Sequence, residues 1–172
     1  MSDLIVRRAI QADAPAINDI YNHYVRTSTA TFDTVEMSLA DRATWLEHHG
    51  DEHPVFVVEQ AGEVVAWGSL SSWATRAAWR HTVEVSTYVA ASASGRGIGP
   101  LLLRELVQAA RKQGHHAVIA QISSDNLASL KMGERAGFER VGTLREVGHK
   151  FDRWIDLAML ELIVGCDAGE DA

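Results

Sequence analysis

The chain has 172 residues, a formal net charge of −7 and a single cysteine, Cys166. This length is typical of one domain that buries its core without disulfides or metals, and a lone cysteine suits a reducing cytoplasm. The acidic balance disfavours a general nucleic-acid binder, which needs basic patches. No signal peptide and no apolar run of about 18 residues is visible, so we expect no membrane span.

In chain order, the first half predicts a strand, two helices and two further strands. Asp13 is placed to cap the first helix, whose first turn accommodates Pro15, and Ser38 with Asp41 resembles a capping box for the second helix. Ala61-Gly62 predicts a hairpin turn between the last two strands. The strands are Leu4–Arg7, Val55–Glu59 and Val64–Leu70, and the helices carry the apolar residues Ile17, Ile20, Tyr21, Tyr24, Leu39, Ala43 and Leu46.

In the second half, a strand leads into a glycine loop and then into an apolar helix. The predicted elements are the strand Thr82–Val89, the helix Pro100–Gln113, the strand Ala117–Ile122, the helix Leu127–Ala136, and the strands Phe138–Leu144 and Trp154–Val164. Helices interrupt a mostly consecutive run of strands, so we predict one α+β domain over residues 1–164 with a mixed, largely antiparallel central sheet flanked by helices. Residues 165–172 are small and acidic, and we expect a flexible tail there.

The loop Ser94-Gly95-Arg96-Gly97-Ile98-Gly99-Pro100 is the strongest signal for ligand binding. Backbone N–H groups in a glycine loop and at a helix start favour an anion, and Arg96 adds a cation. No Gly-Lys-Ser/Thr follows, so the loop is not a P-loop, and Pro100 and Leu102 stand where the dinucleotide fingerprint would have its third glycine. A flexible turn before a helix is the alternative interpretation.

Glu84 is the candidate acid–base residue. Strand alternation puts Glu84, Ser86 and Tyr88 on one face of the predicted strand and its valines on the other face. A carboxylate upstream of an anion cradle can accept a proton from whatever that anion carries. A solvated sheet face explains the same pattern without any catalysis.

Two further groups of residues are weaker candidates. Arg76, between Trp73 and Trp79, offers a planar fork that matches a carboxylate, although a surface loop whose tryptophans fill the core is the favoured interpretation of that segment alone. Phe32 is more typical of a core than of a pocket. The adjacent histidine pairs lack the spacing of metal ligands, so we expect no metal site.

Together these segments resemble the GNAT superfamily of acyl-CoA-dependent N-acetyltransferases over nearly the whole chain. The glycine loop is similar to the pyrophosphate-binding signature of that superfamily. Asn126 in SSDNLASLKMGERAGF resembles the asparagine before its second cofactor helix, and Ala136-Gly137-Phe138 matches its closing Gly-Phe. The blocks NHY with TSTATF, TVEVSTYV and GTLREVGHKFDRWID resemble, more narrowly, the phosphinothricin and methionine sulfoximine acetyltransferases, which acetylate the α-amino group of small glutamate-like amino acids.

The resemblance implies a three-layer α/β/α fold, acetyl-CoA as the acyl donor and direct transfer with Glu84 as the general base. The implied acceptor is a small amine that bears a carboxylate, in contact with Phe32, Arg76, Trp79 and Ser86. The residues implied to hold the cofactor are Thr87, Tyr88, Val89, Gly95, Arg96, Gly97, Ile98, Gly99, Pro100 and Asn126. A homodimer is implied as well, with the KFDRWID segment and the last strand near the subunit contact.

Three positions depart from the family pattern. Ser94 stands where the pyrophosphate signature has Arg or Gln, and Ala74 stands where relatives often carry Lys or Arg. Gly133 stands where the superfamily often has Tyr, or this subgroup His, near the leaving thiol. A glycine donates no proton, so the thiolate would leave unprotonated or take a proton from water, which a thiol pKa near ~8.5 tolerates.

Two other functions stay open on the sequence alone. The same chemistry serves equally for an aminoglycoside, a polyamine or a protein N-terminus, and an acidic protein suits polycationic acceptors. A non-catalytic acyl-CoA-binding module belongs to a different class. The missing side chain at Gly133 favours that module, and the presence of Glu84 disfavours it.

Overall fold

Seven strands form the central sheet of residues 4–165, the part of the chain that the computed structural model describes. Cys166 and the rest of the expected tail, residues 166–172, lie outside the described residues. The strands are β1 (Leu4–Arg8), β2 (Val55–Gln60), β3 (Glu63–Ser72), β4 (Thr82–Val89), β5 (Ala117–Ser123), β6 (Glu139–Lys150) and β7 (Arg153–Ile163). The helices of eight or more residues are α1 (Ala14–Thr27), α2 (Leu39–Glu47), α3 (Ile98–Lys112) and α4 (Leu127–Arg135).

The strand order is β1-β2-β3-β4-β5-β7-β6. Within this sheet β4 and β5 are parallel, and the other neighbouring pairs are antiparallel. One face of the sheet packs against α1 and α2, and the opposite face packs against α3 and α4, each over its own cluster of buried apolar side chains. The predicted α/β/α fold with a mixed, largely antiparallel sheet is therefore confirmed. No helix of the described residues is long and apolar enough to cross a membrane.

The face under α1 and α2 is called the front face below, and it carries the even-numbered side chains of β4. A buried arginine on α2 packs against this face. Arg42 is 2% exposed, and its guanidinium carbon lies 4.6 Å from the ring centroid of Tyr21 and 4.7 Å from that of Trp45. Cation–π contacts with desolvated rings of this kind stabilise a buried cation. Arg42 therefore ties α2 to α1 and to Trp67 of the sheet below.

Local signals in the first half of the chain behave largely as predicted. The hydroxyl of Ser38 caps α2 by accepting the N–H of Asp41, and Ala61-Gly62 forms the β2–β3 turn with positive φ at both residues. Asp13 is the N-cap of α1, as predicted, but its side chain makes no capping hydrogen bond. Its carboxylate instead accepts two hydrogen bonds from the Arg7 guanidinium, because an ion pair offers it stronger donors than a helix start.

The predicted end of the sixth strand is wrong. The alternation of apolar residues stops at Leu144, but β6 continues to Lys150. Its pairing with β7 shifts register between Leu144 and Gly148, and Glu146 adopts a positive φ there. A bulge of this kind breaks the period-2 pattern while the strand continues, which is why the sequence pattern ended early.

The parallel pair β4–β5 opens near the middle of the sheet. The two strands pair only over Thr82–Glu84 and Ala117–Ile119. Beyond these residues they pair no further with each other, and a cavity lined by residues of both strands lies between them. The split therefore places the later part of β4 at the wall of a cavity. This part contains Thr87, Tyr88 and Val89, which the family resemblance assigned to the cofactor.

Candidate active site

The cavity between the split strands has a volume of about 1260 Å³. The later residues of β4 and β5, the glycine loop, and one side each of α3 and α4 line it. A cavity of this volume is typical of a site for a sizeable organic ligand rather than for a single ion. The split sheet and the glycine loop therefore belong to one site.

The glycine loop ends at the first turn of α3. Gly95 and Gly97 have φ values of 76° and 79°, and Gly97 is the N-cap of α3. This backbone region is strained for residues with a Cβ, so glycine is favoured at both positions. The cap makes no side-chain hydrogen bond, which leaves the first N–H groups of α3 directed at the cavity, where an anion satisfies them.

Nine of the ten residues that were assigned to the cofactor line this cavity. They are Thr87, Tyr88, Val89, Gly95, Gly97, Ile98, Gly99, Pro100 and Asn126. Arg96 is exposed and lies outside the lining. Asn126 also caps α4, since its side-chain oxygen accepts the N–H of Ser129 at 3.2 Å. Helix capping therefore explains in part why an asparagine stands at this position.

Four cations at the wall of the cavity were missed by the sequence analysis. Arg104 and Arg111 lie on α3, and Lys131 and Arg135 lie on α4. Their spacings of seven and four residues put each pair on one helix face. Read alone, each pair resembles an ordinary solvated helix face, and only the packing of α3 beside α4 brings the four together. Within residues 4–165, no group of three His, Cys, Asp or Glu side chains is arranged to hold a metal ion.

The hydrogen-bond pattern of β4 decides which of its backbone groups face the cavity. Trp73 N donates to Thr82 O, and Ala90 N donates to Val65 O. The even-numbered residues of β4 therefore form the hydrogen-bonded pairs with β3. The odd-numbered residues direct their N–H and C=O groups toward β5 and, beyond the split, into the cavity.

An aromatic cluster fixes the end of β4. The ring of Tyr88 stacks on Trp67 with centroids 5.0 Å apart and meets the edges of Tyr21 at 5.1 Å. The hydroxyl of Tyr24 donates to the carbonyl of Val89 at 2.5 Å. The side chain of Tyr88 is thus part of the front-face packing, and the backbone of this strand end is what the cavity meets.

Glu84 lies at the opposite end of the split from the glycine loop. Its side chain is half-buried on the front face, and the Gln121 amide donates to its carboxylate at 3.1 Å. Burial raises the pKa of the Glu84 carboxyl above its usual range, and the hydrogen bond from Gln121 opposes part of that rise. Ser86, two residues further along the same face, lines the cavity. A carboxylate with a raised pKa beside a cavity is suited to proton transfer near neutral pH.

Arg76 and Trp79 lie in the connection between β3 and β4, close to the strand end that carries Glu84. Both are exposed. Arg76 is the N-cap of a short helical turn that ends at Trp79, and Trp79 N donates to Arg76 O at 2.9 Å. Among residues 4–165, Arg76 has no carboxylate within ion-pair distance. The interpretation that the tryptophans of this loop fill the core does not hold for Trp79, which is 44% exposed. The Arg76 guanidinium is therefore available to an anionic ligand.

Phe32 lies apart from that loop, in the connection between α1 and α2. Its ring packs directly on Gly148 of β6, where a Cβ would approach the ring to 2.5 Å. Lys150 is 5% exposed and donates to the carbonyls of Ser28 and Thr31 at 2.8 and 2.9 Å. Gly148 and Lys150 thus hold the segment that carries Phe32. The structure does not bring Phe32 into direct contact with Arg76 or Trp79.

A family model described as an acetyltransferase (GNAT) domain matches residues 6–159. The chain belongs to the GNAT acetyltransferase family. The L-methionine sulfoximine/L-methionine sulfone acetyltransferase of Pseudomonas aeruginosa is 39% identical to this GNAT protein over 159 residues, 91% of this chain and 92% of that one. The phosphinothricin N-acetyltransferase of Streptomyces coelicolor is 37% identical over 164 residues, 93% and 96% of the two chains.

Solved structures give the same assignment for this GNAT protein. A phosphinothricin acetyltransferase from Sinorhizobium meliloti, in complex with AcCoA, is 31% identical, with a TM-score of 0.92 over 100% of this chain and 94% of that one. A ribosomal-protein-alanine N-acetyltransferase from Brucella melitensis is 41% identical, with a TM-score of 0.90 over 92% and 99%. The resemblance found in the sequence is confirmed, and the protein is an acyltransferase.

Gly133 of this GNAT protein stands at a close contact between α4 and the sheet. A Cβ at this position would lie 2.9 Å from a methyl carbon of Leu160, which is fully buried. Glycine here lets α4 approach β7 closely, and a larger residue would need the two elements to shift. The departure from the family pattern at Gly133 therefore has a packing reason of its own.

Proposed function

We propose that this enzyme transfers an acetyl group from acetyl-CoA directly to the α-amino group of a small glutamate-like amino acid. The observation that carries the proposal is the arrangement of one cavity, with the glycine loop and the start of α3 at one end and Ser86 and Gln121 at the other. Glu84 lies directly behind that second end, because Gln121 donates a hydrogen bond to its carboxylate. The names of the two relatives from Pseudomonas aeruginosa and Streptomyces coelicolor support the substrate class.

The cavity fits acetyl-CoA in shape and charge. The backbone N–H groups of Gly95–Gly99 suit a pyrophosphate, and the odd-numbered residues Thr87 and Val89 offer strand-like backbone partners to an extended amide chain such as pantetheine. Asn126 lies beside that path. The four cations on α3 and α4 add positive charge that favours the remaining phosphate of the nucleotide. Related structures that contain AcCoA support the same donor.

Glu84 acts as the general base in the proposed mechanism. The substrate amine arrives as an ammonium ion and is not nucleophilic until it loses a proton. The Glu84 carboxylate accepts that proton, directly or through a water, and a positioned base of this kind contributes about 10²–10⁴-fold to the rate. Its raised pKa matches this role, because a stronger base takes a proton from an ammonium more readily.

Backbone and solvent complete the transfer. The free amine attacks the thioester carbonyl, whose oxygen gains negative charge that a backbone N–H stabilises. The ladder pattern of β4 favours the N–H of Val89 over that of Tyr88, because Tyr88 forms a hydrogen-bonded pair with β3. Coenzyme A leaves as a thiolate or takes a proton from water, since Gly133 offers none.

The acceptor binds at the end of the site next to Glu84. Arg76 pairs with its carboxylate as a planar fork, and Trp79 adds an apolar wall in the same loop. Ser86 lies between Glu84 and the cofactor end on the front face, and Phe32 closes the pocket from the α1–α2 connection. A protein N-terminus is the second candidate acceptor, supported by the similarity to the ribosomal-protein-alanine N-acetyltransferase.

We also propose that the enzyme works as a homodimer in the cytoplasm. The edge hairpin β6–β7, which contains KFDRWID, carries exposed apolar side chains that a second copy of this chain covers. The cytoplasmic location is a prediction from the single cysteine, Cys166.

The Glu84→Gln variant tests the proposed mechanism. We expect kcat/KM for phosphinothricin, followed by thiol release, to fall by about 10²–10⁴-fold, with the KM for acetyl-CoA unchanged. The wild-type rate should decline as the pH falls through the raised pKa of Glu84, because protonation removes the base, and the variant should lack this limb. Glu63→Gln, at an exposed glutamate in the β2–β3 hairpin, is the matched control. A Glu84→Gln enzyme with the wild-type rate at every pH would contradict the mechanism.

A further inference from the structure

Gln121 is a polar side chain beside Glu84 that the mechanism so far leaves unused. It lies on β5, two residues beyond Ile119, which is the ladder partner of Glu84. Side chains alternate along a strand, so Gln121 shares the front face with Ile119 and Glu84. Its exposed side chain contacts Glu84 and also lines the cavity. Gln121 therefore bridges the candidate base and the cavity at the point where β4 and β5 part.

The chemistry of this contact fixes the orientation of the amide. An ionised carboxylate only accepts hydrogen bonds, so Nε2 of Gln121 faces Glu84, and the Nε2–Oε2 distance is 3.1 Å. The amide oxygen Oε1 then points away from the carboxylate. Among residues 4–165, no donor forms a hydrogen bond to that oxygen. An acceptor is thus presented beside the base without a partner.

We propose that Gln121 orients the Glu84 carboxylate with its amide nitrogen and accepts a hydrogen bond from the ammonium group of the acceptor substrate with its amide oxygen. This inference rests on the proposed function, because it assigns a residue to the amine end of the same site. Glu84 and Gln121 then form a pair of acceptors, one charged and one neutral, on two strands that the parallel ladder holds side by side.

A second acceptor meets a physical requirement of the substrate. A primary ammonium has three N–H donors, and each loses its water on entering a site lined by protein. Glu84 satisfies one donor and takes its proton. Gln121 satisfies another and remains bonded to the neutral amine, which keeps the nitrogen aimed at the thioester. Orientation of the reacting nitrogen raises the rate beyond what the base alone provides.

The same contact acts on the ionisation of the base. Burial favours the protonated form of Glu84, and the Gln121 hydrogen bond favours the ionised form. Tyr88, further along the same strand face, is a titratable group that senses the Glu84 charge. Removal of the amide therefore raises the pKa of Glu84 further, which gives the proposal a readout that a merely structural residue would not have.

The Gln121→Met variant tests the inference, because methionine keeps the length of the side chain and removes both amide atoms. We expect kcat/KM for the amine to fall about tenfold, the order of one hydrogen bond to a charged group. The acidic limb of its pH profile should move to higher pH, and the KM for acetyl-CoA should stay unchanged. Gln113→Met, at an exposed glutamine beyond the end of α3, is the control.

Two outcomes separate this inference from the proposed function. A Gln121→Met enzyme with the wild-type pH profile and the wild-type KM for the amine would overturn the role of Gln121, while the loss of activity in Glu84→Gln would still uphold the base. Full activity of Glu84→Gln would overturn the base itself. If Gln121→Met fails to fold, as judged by circular dichroism, Gln121→Asn provides the test, since it retains the amide but withdraws it from Glu84.

Discussion

Single residues in this enzyme take their roles from the strand geometry around them. Glu84 is a carboxylate in an apolar strand, and its proposed role as a base is supported by partial burial, which raises its pKa, and by the hydrogen bond from Gln121. Strand alternation allowed Glu84 to be selected from the sequence. Gln121 carries no local signal, because its proposed role depends on the parallel pairing of β4 with β5, which residues far apart in the sequence do not reveal.

Arg76 yields a prediction at the residue scale. Its exposed guanidinium has no ion-pair partner among residues 4–165 and lies in the loop next to Glu84. We expect Arg76→Ala to raise the KM for phosphinothricin about tenfold or more, since a charged hydrogen bond to the substrate carboxylate is lost. The rate with amines that lack a carboxylate should not change.

Arg80 provides the matched control for Arg76, because it is an exposed arginine in the same loop, at the other end of the short turn. Arg80→Ala should leave the kinetics for both kinds of amine unaltered. The pair is assayed with phosphinothricin and with a polyamine of similar size. An equal loss for both substrates in Arg76→Ala would show that Arg76 supports the loop rather than the carboxylate.

At the scale of elements, the site depends on a strand pair that opens and a helix that starts at the opening. The sequence predicted the strand Thr82–Val89, the glycine loop and the helix after it, since each has a local pattern. It did not predict the split between β4 and β5 or the cations that α3 and α4 bring together, because both arise from packing between elements. The bulge in β6 was missed for a related reason, since it is defined only against β7.

Gly97 carries a prediction at the element scale. Its φ of 79° lies at the N-cap of α3, and a Cβ there is strained even though nothing lies within 4 Å of it. We expect Gly97→Ala to lower the free energy of unfolding by about 1–2 kcal/mol and to raise the KM for acetyl-CoA, because the loop that faces the pyrophosphate must change its backbone. Chemical denaturation and steady-state kinetics measure the two effects.

Gly50 separates backbone strain from side-chain bulk. It also has open space around a Cβ, but its φ is ordinary and it lies away from the cavity. Gly50→Ala should therefore change the free energy of unfolding by no more than a few tenths of a kcal/mol and leave the KM for acetyl-CoA unaltered. Equal behaviour of the two variants would mean that the conformation of Gly97 is not needed for cofactor binding.

At the scale of the whole molecule, the hairpin β6–β7 forms one edge of the sheet and carries exposed apolar side chains. β6 is an edge strand of twelve residues, and long edges with apolar side chains are normally protected. Six large apolar residues along this hairpin are at least half exposed: Val141, Leu144, Val147, Phe151, Trp154 and Ile163. Such a concentration on one edge is typical of a protein–protein contact. In the proposed homodimer, twofold symmetry would let each copy of the chain cover this patch on the other.

The proposed dimer contact can be tested by the same substitution at two exposed valines, Val147 and Val35. Val147 is 52% exposed on the hairpin, and Val35 is 78% exposed in the α1–α2 connection, away from it. We expect the wild type and Val35→Lys to elute with twice the mass of the chain in size-exclusion chromatography with light scattering. Val147→Lys should shift toward the monomer, because a charge buried at an interface without a partner is costly. A monomeric wild type would contradict the proposed assembly. Since the same hairpin holds the Phe32 segment through Lys150, loss of the dimer should also raise the KM for the amine.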